Sequence, residues 1–273
     1  MTGALPPLRE VIAEHGLAAR KGLGQHFLLD LNLTAKIARL TQARPGDVVL
    51  EVGPGPGGLT RALLETGAAV FAVERDERVV PILEEMRAAH DGRLGWVSGD
   101  ALAVYEPDLL AHTSAIIASN LPYNVSTELL VKWLTAEPRW WRRMVLMFQR
   151  EVGDRILAGP GSKTYGRLSV IAQAASSPRL GFHLPARAFT PPPKVDSSVL
   201  VFEATERPPW LGALERVTAA AFGQRRKMVR TSMKGVFGDG LGDALAAAGV
   251  AETARAEAVT VEAYGALARA LAG

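Results

Sequence analysis

Val48-Val49-Leu50-Glu51-Val52-Gly53-Pro54-Gly55-Pro56-Gly57-Gly58 is an apolar, β-prone run that ends in a glycine-rich turn. Strand-formers followed at once by glycines predict a strand feeding a tight bend. Glycine lets the main chain turn sharply and lets a ligand approach it with no Cβ in the way. The flanking sequence repeats the theme. Leu33, Ile37 and Leu40 fall at helical spacing within 31–43, and Pro45-Gly46-Asp47 closes that helix. Downstream, strands are expected at Val70–Val73, Leu94–Val97, Ala115–Ala118 and Met144–Phe148. Helices are expected at Gly58–Glu65, Arg78–Ala89 and Thr127–Leu134. Short apolar strands alternating with helices predict an α/β fold with a mostly parallel, doubly wound sheet. Arg179–Leu184 and Ser197–Glu203 are expected to extend that sheet as an antiparallel pair.

The ends of the chain read differently. Residues 1–30 form an N-terminal arm with a short helix at Leu8–Glu14, ahead of a core domain over 31–206. Arg207-Pro208-Pro209-Trp210 marks a boundary. Beyond it the pattern is only helical, at Leu211–Phe222, Lys227–Val236, Leu241–Ala248 and Val261–Leu271, with glycines at the breaks. Residues 207–273 are therefore expected to form a small all-helical domain.

Composition excludes several classes. The 273 residues are 48% hydrophobic, enough for a sizeable core. No apolar run approaches the ~20 residues of a membrane span, and Leu5-Pro6-Pro7-Leu8 does not read as an export signal. Cysteine is absent, which rules out disulfides and cysteine zinc sites and fits the cytoplasm. The five histidines have no metal-ligand spacing, so no metal is expected. A net charge of +3 says little about partners, but its distribution says more. Gln224-Arg225-Arg226-Lys227-Met228-Val229-Arg230, with Lys234 close behind, is a dense basic run with no acid in it. On the expected helix, Lys227 and Arg230 share a face and Lys234 lies a turn further, a geometry suited to phosphates. Trp140-Trp141, flanked by Arg139, Arg142 and Arg143, is expected to be partly buried against the sheet.

The spacing of Gly53, Gly55 and Gly58 can be matched to a dinucleotide fingerprint. Two features oppose that reading. Pro54 and Pro56 lack the N–H donors of a pyrophosphate cradle, and Glu51 would face the phosphates. A cationic, phosphate-free cofactor such as S-adenosylmethionine fits better. Glu74, at the end of the next strand, is placed to accept ribose hydroxyls. Asp100, after the third strand, is placed to take an adenine amino group.

Asn120-Leu121-Pro122-Tyr123 follows the fourth strand. An aromatic amine is a weak nucleophile because its lone pair is delocalised. The Asn120 side-chain oxygen and the Leu121 carbonyl can bond its two hydrogens and turn the lone pair towards an electrophile. Pro122 stiffens the turn, and Tyr123 offers a face on which a base can stack. The pattern suits methyl transfer to the exocyclic nitrogen of a base, with positioning as the main contribution.

With these residues in place, the chain resembles the ribosomal RNA adenine N6-dimethyltransferases, most closely the bacterial small-subunit (16S) branch. The resemblance rests on Gly24-Gln25-His26-Phe27-Leu28-Leu29-Asp30, Glu51–Gly58, Asn120–Tyr123, Phe189-Thr190-Pro191-Pro192-Pro193-Lys194-Val195-Asp196-Ser197 and Phe222-Gly223-Gln224-Arg225-Arg226-Lys227. It implies a Rossmann-like class I methyltransferase fold. It implies cofactor contacts from Gln25, His26, Leu28, Gly53, Gly55, Glu74, Asp100 and Asn120. It implies a catalytic acceptor site of Asn120, Leu121, Pro122, Tyr123 and Phe189, with Tyr123 and Phe189 sandwiching a flipped adenine. It implies RNA contacts from Arg225, Arg226, Lys227, Arg230 and Lys234. The implied reaction is N6,N6-dimethylation of two adjacent adenosines near the 3′ end of 16S rRNA. The enzyme is expected to act as a cytoplasmic monomer on the immature small subunit, with a part in its assembly and no membrane partner. Two alternatives stay open: the same chemistry on 23S rRNA, and an assembly factor acting mainly by binding.

Overall fold

The computed structural model describes residues 5–110 and 114–273. The arm carries helix α1 (Leu8–Glu14) and the two-residue strand β1 (Phe27–Leu28). Helix α2 (Leu31–Thr41) opens at Asp30, whose carboxylate accepts the Asn32 and Leu33 N–H groups at 2.8 and 3.3 Å. The alternating core follows: β2 (Val48–Val52), α3 (Gly58–Leu64), β3 (Ala69–Glu74), α4 (Val80–Ala89), β4 (Leu94–Ser98), α5 (Glu106–Leu109), β5 (Ala115–Ser119), α6 (Ser126–Thr135) and β6 (Trp141–Gln149). Then come α7 (Arg150–Leu157), α8 (Arg167–Ala175), β7 (Ser176–Leu184), β8 (Phe189–Thr190) and β9 (Ser197–Ala204).

Seven strands form one sheet in the order β4-β3-β2-β5-β6-β9-β7. The β4-β3, β3-β2, β2-β5 and β5-β6 pairs are all parallel. Strand order reverses between β2 and β5, so their carboxyl ends flank the crevice where α/β sheets bind ligands. Val49 and Leu50, opposite Ile116 and Ile117, are fully buried together with them. Burial on both faces explains why these strands read as unbroken apolar runs. The expected pair at the far edge is present as neighbours β9 and β7. Trp140 and Trp141 are more fully buried than expected, and Trp141 is the first residue of β6 itself.

Contacts divide the chain into two units. One comprises Met1–Lys132, Trp140–Arg150 and Leu180–Phe202, and the other Trp133–Arg139, Glu151–Arg179 and Glu203–Gly273. The second unit adds α9 (Leu211–Gly223), α10 (Val229–Ser232), α11 (Lys234–Phe237), α12 (Leu241–Ala247) and α13 (Val261–Ala272). Its centre is aromatic. Phe222 lies 6.0 Å from Tyr165 and 5.7 Å from Tyr264, ring centre to ring centre. The two buried phenols donate to Val259 O and Ala256 O at 3.0 and 2.9 Å. That satisfies groups that would otherwise be costly to bury.

The sequence pattern did not indicate α7, α8 or the antiparallel β1–β8 pair, in which Phe27 faces Thr190 and Leu28 faces Phe189. The helix expected over Lys227–Val236 is also corrected. Residues 224–226 form a turn, Met228 bridges Arg255, and the helical residues split into α10 and α11. The Val229 and Arg230 N–H groups donate to Ala254 O and Glu252 O instead of to a preceding helical turn.

Gly58, the first residue of α3, lies under β1. A Cβ there would sit 2.7 Å from Leu28 O and 3.1 Å from Leu8 Cδ1. Gly58→Ala is expected to destabilise the protein by about 1–3 kcal/mol through overpacking against a backbone carbonyl. The measurement is the urea midpoint at unchanged m-value.

Candidate active site

The carboxyl ends of β2 and β5 meet directly. Ser119, at the end of β5, donates its hydroxyl to Val52 O, at the end of β2, at 2.5 Å, and is buried there. Gly53 turns at φ +69°, and a Cβ on it would lie 3.9 Å from Pro122 Cδ. The glycine turn and the Asn120–Tyr123 segment therefore share one cavity. Its walls are Gly22–Leu28 of the arm, Glu51–Pro56, Glu74, Asp100 and Asn120–Val125.

Two buried acids stand in this wall. Glu51 accepts the Thr60 hydroxyl at 2.7 Å. Burial pushes its carboxyl up to about 8 against the pull of that hydrogen bond, and the nearby Glu74 charge pushes the same way. Glu74 is fastened mainly by one oxygen. Its Oε1 accepts the Arg75 and Asp76 N–H groups at 2.7 Å each, and Oε2 accepts Gly55 N–H at 3.4 Å. Burial still raises its pKa, outweighing those bonds. Asp100 is nearer the surface. It accepts Leu102 N–H at 2.9 Å through Oδ1, and its Oδ2 lies 3.5 Å from an Arg75 guanidinium nitrogen.

The acceptor residues are oriented in the same way. Asn120 donates Nδ2–H to His26 O at 2.9 Å. Among the described residues, its Oδ1 and Leu121 O accept no hydrogen bond. The His26 ring donates Nδ1–H to Pro191 O at 2.8 Å, since a carbonyl can only accept. His26 also stacks on Tyr123, with ring centres 5.7 Å apart at 29°. The Tyr123 hydroxyl shares a 2.6 Å hydrogen bond with the buried Ser197 hydroxyl, and burial pushes the phenol up.

A family model described as ribosomal RNA adenine dimethylase matches residues 16–272. The chain belongs to that family. Full-length relatives agree. The ribosomal RNA small subunit methyltransferase A of Ruegeria sp. (strain TM1040) is 56% identical over 98% of this chain and 97% of its own. That of Phenylobacterium zucineum (strain HLK1) is 58% identical over 97% and 92%. Among solved structures, the 23S rRNA methyltransferase ErmE is 25% identical, covers 90% of this chain and 100% of its own, and superposes with a TM-score of 0.70. A dimethyladenosine transferase from Plasmodium falciparum shares the fold, with a TM-score of 0.73 at 22% identity, covering 89% of this chain and 96% of its own. As a member of the rRNA adenine dimethylase family, the protein is an S-adenosylmethionine-dependent rRNA adenine dimethyltransferase.

Against the residues named from sequence, Gln25, His26, Leu28, Gly53, Gly55, Glu74, Asp100, Asn120, Leu121, Pro122 and Tyr123 all line the one cavity. Phe189 does not. It is 2% exposed, paired with Leu28 through β8, and packed in the core. The ring stacked on Tyr123 is that of His26. Gln25 lines the cavity, but both ends of its amide are engaged. Oε1 accepts Arg20 N–H at 2.9 Å, and Nε2 donates to Asp76 Oδ2 at 3.0 Å. Asp76 is buried, and the Arg78 guanidinium holds its carboxyl down at about 2. Arg78 reaches on to Ala18 O at 3.2 Å, so this pair ties the arm to the end of β3. Sequence reading missed Asp76, Arg78, Ser119 and Ser197. Asp76 and Arg78 closely follow Glu74, and Ser119 directly precedes Asn120, but only the folded chain shows what they bond.

The basic run lies in the second unit. Arg225, Arg226, Lys227, Arg230 and Lys234 are all exposed, although Lys227 precedes α10 and shares no helical face with Arg230. Arg225 is partly engaged, by Lys163 O at 2.9 Å and by Glu257 at 3.8 Å. Among the described residues no cluster of His, Cys, Asp and Glu could hold a metal ion, and no helix is long and apolar enough to cross a membrane.

Between the ordinary carboxylate range and about 8, the folded protein keeps on Glu51 a proton that the unfolded chain has released. Stability of the ligand-free protein therefore falls as pH rises through this window. Glu51→Gln keeps a partner for Thr60 and removes the titration. Thermal unfolding at pH 5 and pH 8 is expected to show a smaller drop for the variant than for the parent.

Proposed function

We propose that the protein transfers two methyl groups from S-adenosylmethionine to N6 of each of two adjacent adenosines near the 3′ end of 16S rRNA. In this reading it works as a cytoplasmic monomer on the immature small subunit. The observation that carries the proposal is the Asn120 amide, tied down through Nδ2 beside the glycine turn so that Oδ1 is left to accept.

The cavity fits the cofactor in its donor set. Glu51 and Glu74 are acids whose pKa values are raised by burial, and Pro54 and Pro56 offer no N–H to a phosphate. When bound, S-adenosylmethionine supplies an electrophilic methyl on a sulfonium. Glu74 would hold the ribose, Asp100 the adenine amine, and the Gly53–Gly55 backbone would lie alongside. Asn120 Oδ1 and Leu121 O would accept the two N6 hydrogens of the target and turn its lone pair towards the methyl. Tyr123 would carry the base, which must leave its helix to arrive there. Each transfer releases one N6 proton, to water; with the first methyl in place N6 keeps one hydrogen, and one acceptor suffices for the second transfer. Arg226, Lys227, Arg230 and Lys234 would bind backbone phosphates.

Identity supports the small subunit over the large. The relatives named for the small subunit match at 56–58%, whereas ErmE, named for 23S rRNA, matches at 25%.

The test is label transfer from methyl-labelled S-adenosylmethionine to naked 16S rRNA, to immature small subunits and to 23S rRNA, followed by nucleoside identification. Dimethyladenosine from small-subunit substrate alone is the expected result, and binding without transfer would overturn the enzymatic reading. Asn120→Ala is expected to lower turnover by about 100-fold through lost positioning, with the fold retained. Arg226→Ala with Lys227→Ala is expected to weaken RNA binding and reduce its salt slope by about 1–2, leaving cofactor affinity unchanged.

A further inference from the structure

Lys132 lies on α6, the helix into which the acceptor segment runs. Val125 N–H donates to Pro122 O at 3.1 Å, and the Ser126 hydroxyl to Tyr123 O at 3.2 Å, so the start of α6 moves with Asn120–Tyr123. Towards its other end, Lys132 is partly buried. It donates to Ala101 O at 2.8 Å, to Glu106 Oε1 at 2.9 Å and to Val104 O. Three donors meet three acceptors, which saturates the group. The Glu106 carboxylate is 2% exposed.

Two of those acceptors are carbonyls of the turn that opens at Asp100. Ala103 and Val104 N–H groups return to Asp100 O at 2.9 and 3.1 Å, and Leu102 N–H binds Asp100 Oδ1 at 2.9 Å. The direction of the Asp100 side chain is therefore set by this turn, and the turn is fastened to Lys132. An ion pair with Glu106 alone would not need the two carbonyls. A lysine serving only solubility would not leave water for them.

We propose that Lys132 is a positioning residue, holding the Asp100 turn in register with the Asn120–Tyr123 segment, so that the adenine end of the cofactor site and the methyl acceptor site are set by one helix. The proposal rests on the reading of Asp100 as the group that takes the adenine amine.

Lys132→Met alone would leave Glu106 buried without its cation, and it risks the fold. The working variant is therefore Lys132→Met with Glu106→Gln. Glu106→Gln alone is the control, because it keeps Lys132 on both carbonyls. The probes are S-adenosylhomocysteine and S-inosylhomocysteine, which carries a carbonyl oxygen in place of the adenine amine. Both are titrated calorimetrically against the full chain.

The parent is expected to prefer S-adenosylhomocysteine by at least about tenfold, the worth of one charge-assisted hydrogen bond. Glu106→Gln should keep that preference. The double variant should lose most of it. A merely structural role would weaken both ligands equally and leave the preference intact, which overturns the proposal. Asp100→Ala separates the two layers. If it abolishes the preference and the double variant does not, the role of Lys132 is wrong and the reading of Asp100 stands. If Asp100→Ala keeps the preference, the reading of Asp100 falls and the proposal falls with it.

Discussion

The Ser119 hydroxyl on Val52 O is a small contact that fixes a large constraint. It closes the carboxyl ends of β2 and β5 against each other at the point where strand order reverses. A buried hydroxyl must find a partner, and this one finds it on the neighbouring strand. Because of it, the residues that follow each strand, Gly53 and Asn120, begin their loops side by side. An in-line displacement needs the donor carbon and the acceptor nitrogen within contact distance. Two loops leaving adjacent strand ends give that proximity without any long lever arm.

The electrostatics of the cavity follow from its depth. Glu51 and Glu74 lie buried in the cavity wall, and burial raises both pKa values despite a hydroxyl donor to one and backbone N–H donors to the other. Isolated buried charge is expensive. Such a site favours a ligand that brings positive charge without phosphate. Asp76 shows the opposite case a few atoms away. Paired with Arg78, it stays ionised, and its role is mechanical, holding Gln25 and the arm across the cavity. Residues of the same type, close in sequence, thus take different roles according to whether a cation is already beside them.

The parts of this structure legible in sequence are those governed by local chemistry. Glycines that need φ above zero, apolar strands of four to five residues and helical spacing in 31–43 marked the core in the right places. The opaque parts are settled by distant partners. Phe189 sits in a segment with an obvious motif, yet its ring is claimed by the core once β8 pairs with β1, a bond between segments far apart in the chain. The helix expected through Lys227 fails for the same kind of reason. The donors of Val229 and Arg230 are taken by the chain at 252–254, and helix propensity cannot foresee that competitor. Helices α7 and α8 follow β6, where the strand–helix alternation ends, so that alternation gives no signal for them.

A common device runs through the side chains of the cavity. Each is a group with two polar atoms, and at least one is tied to the protein. Asn120 is held by Nδ2, His26 by Nδ1, Asp100 by Oδ1, and Glu74 chiefly by Oε1. The tied atom fixes the rotamer and so limits where the other atom can point. Such a site loses little side-chain entropy when a ligand arrives, so more of the contact energy serves orientation. The partners in these ties are mostly main-chain groups, which move only when the backbone moves. The arm and the Asp100 turn are then the two places where a backbone displacement would disarm several groups together, and both are fastened by ion pairs on a buried acid, Asp76–Arg78 for the arm and Glu106–Lys132 for the turn.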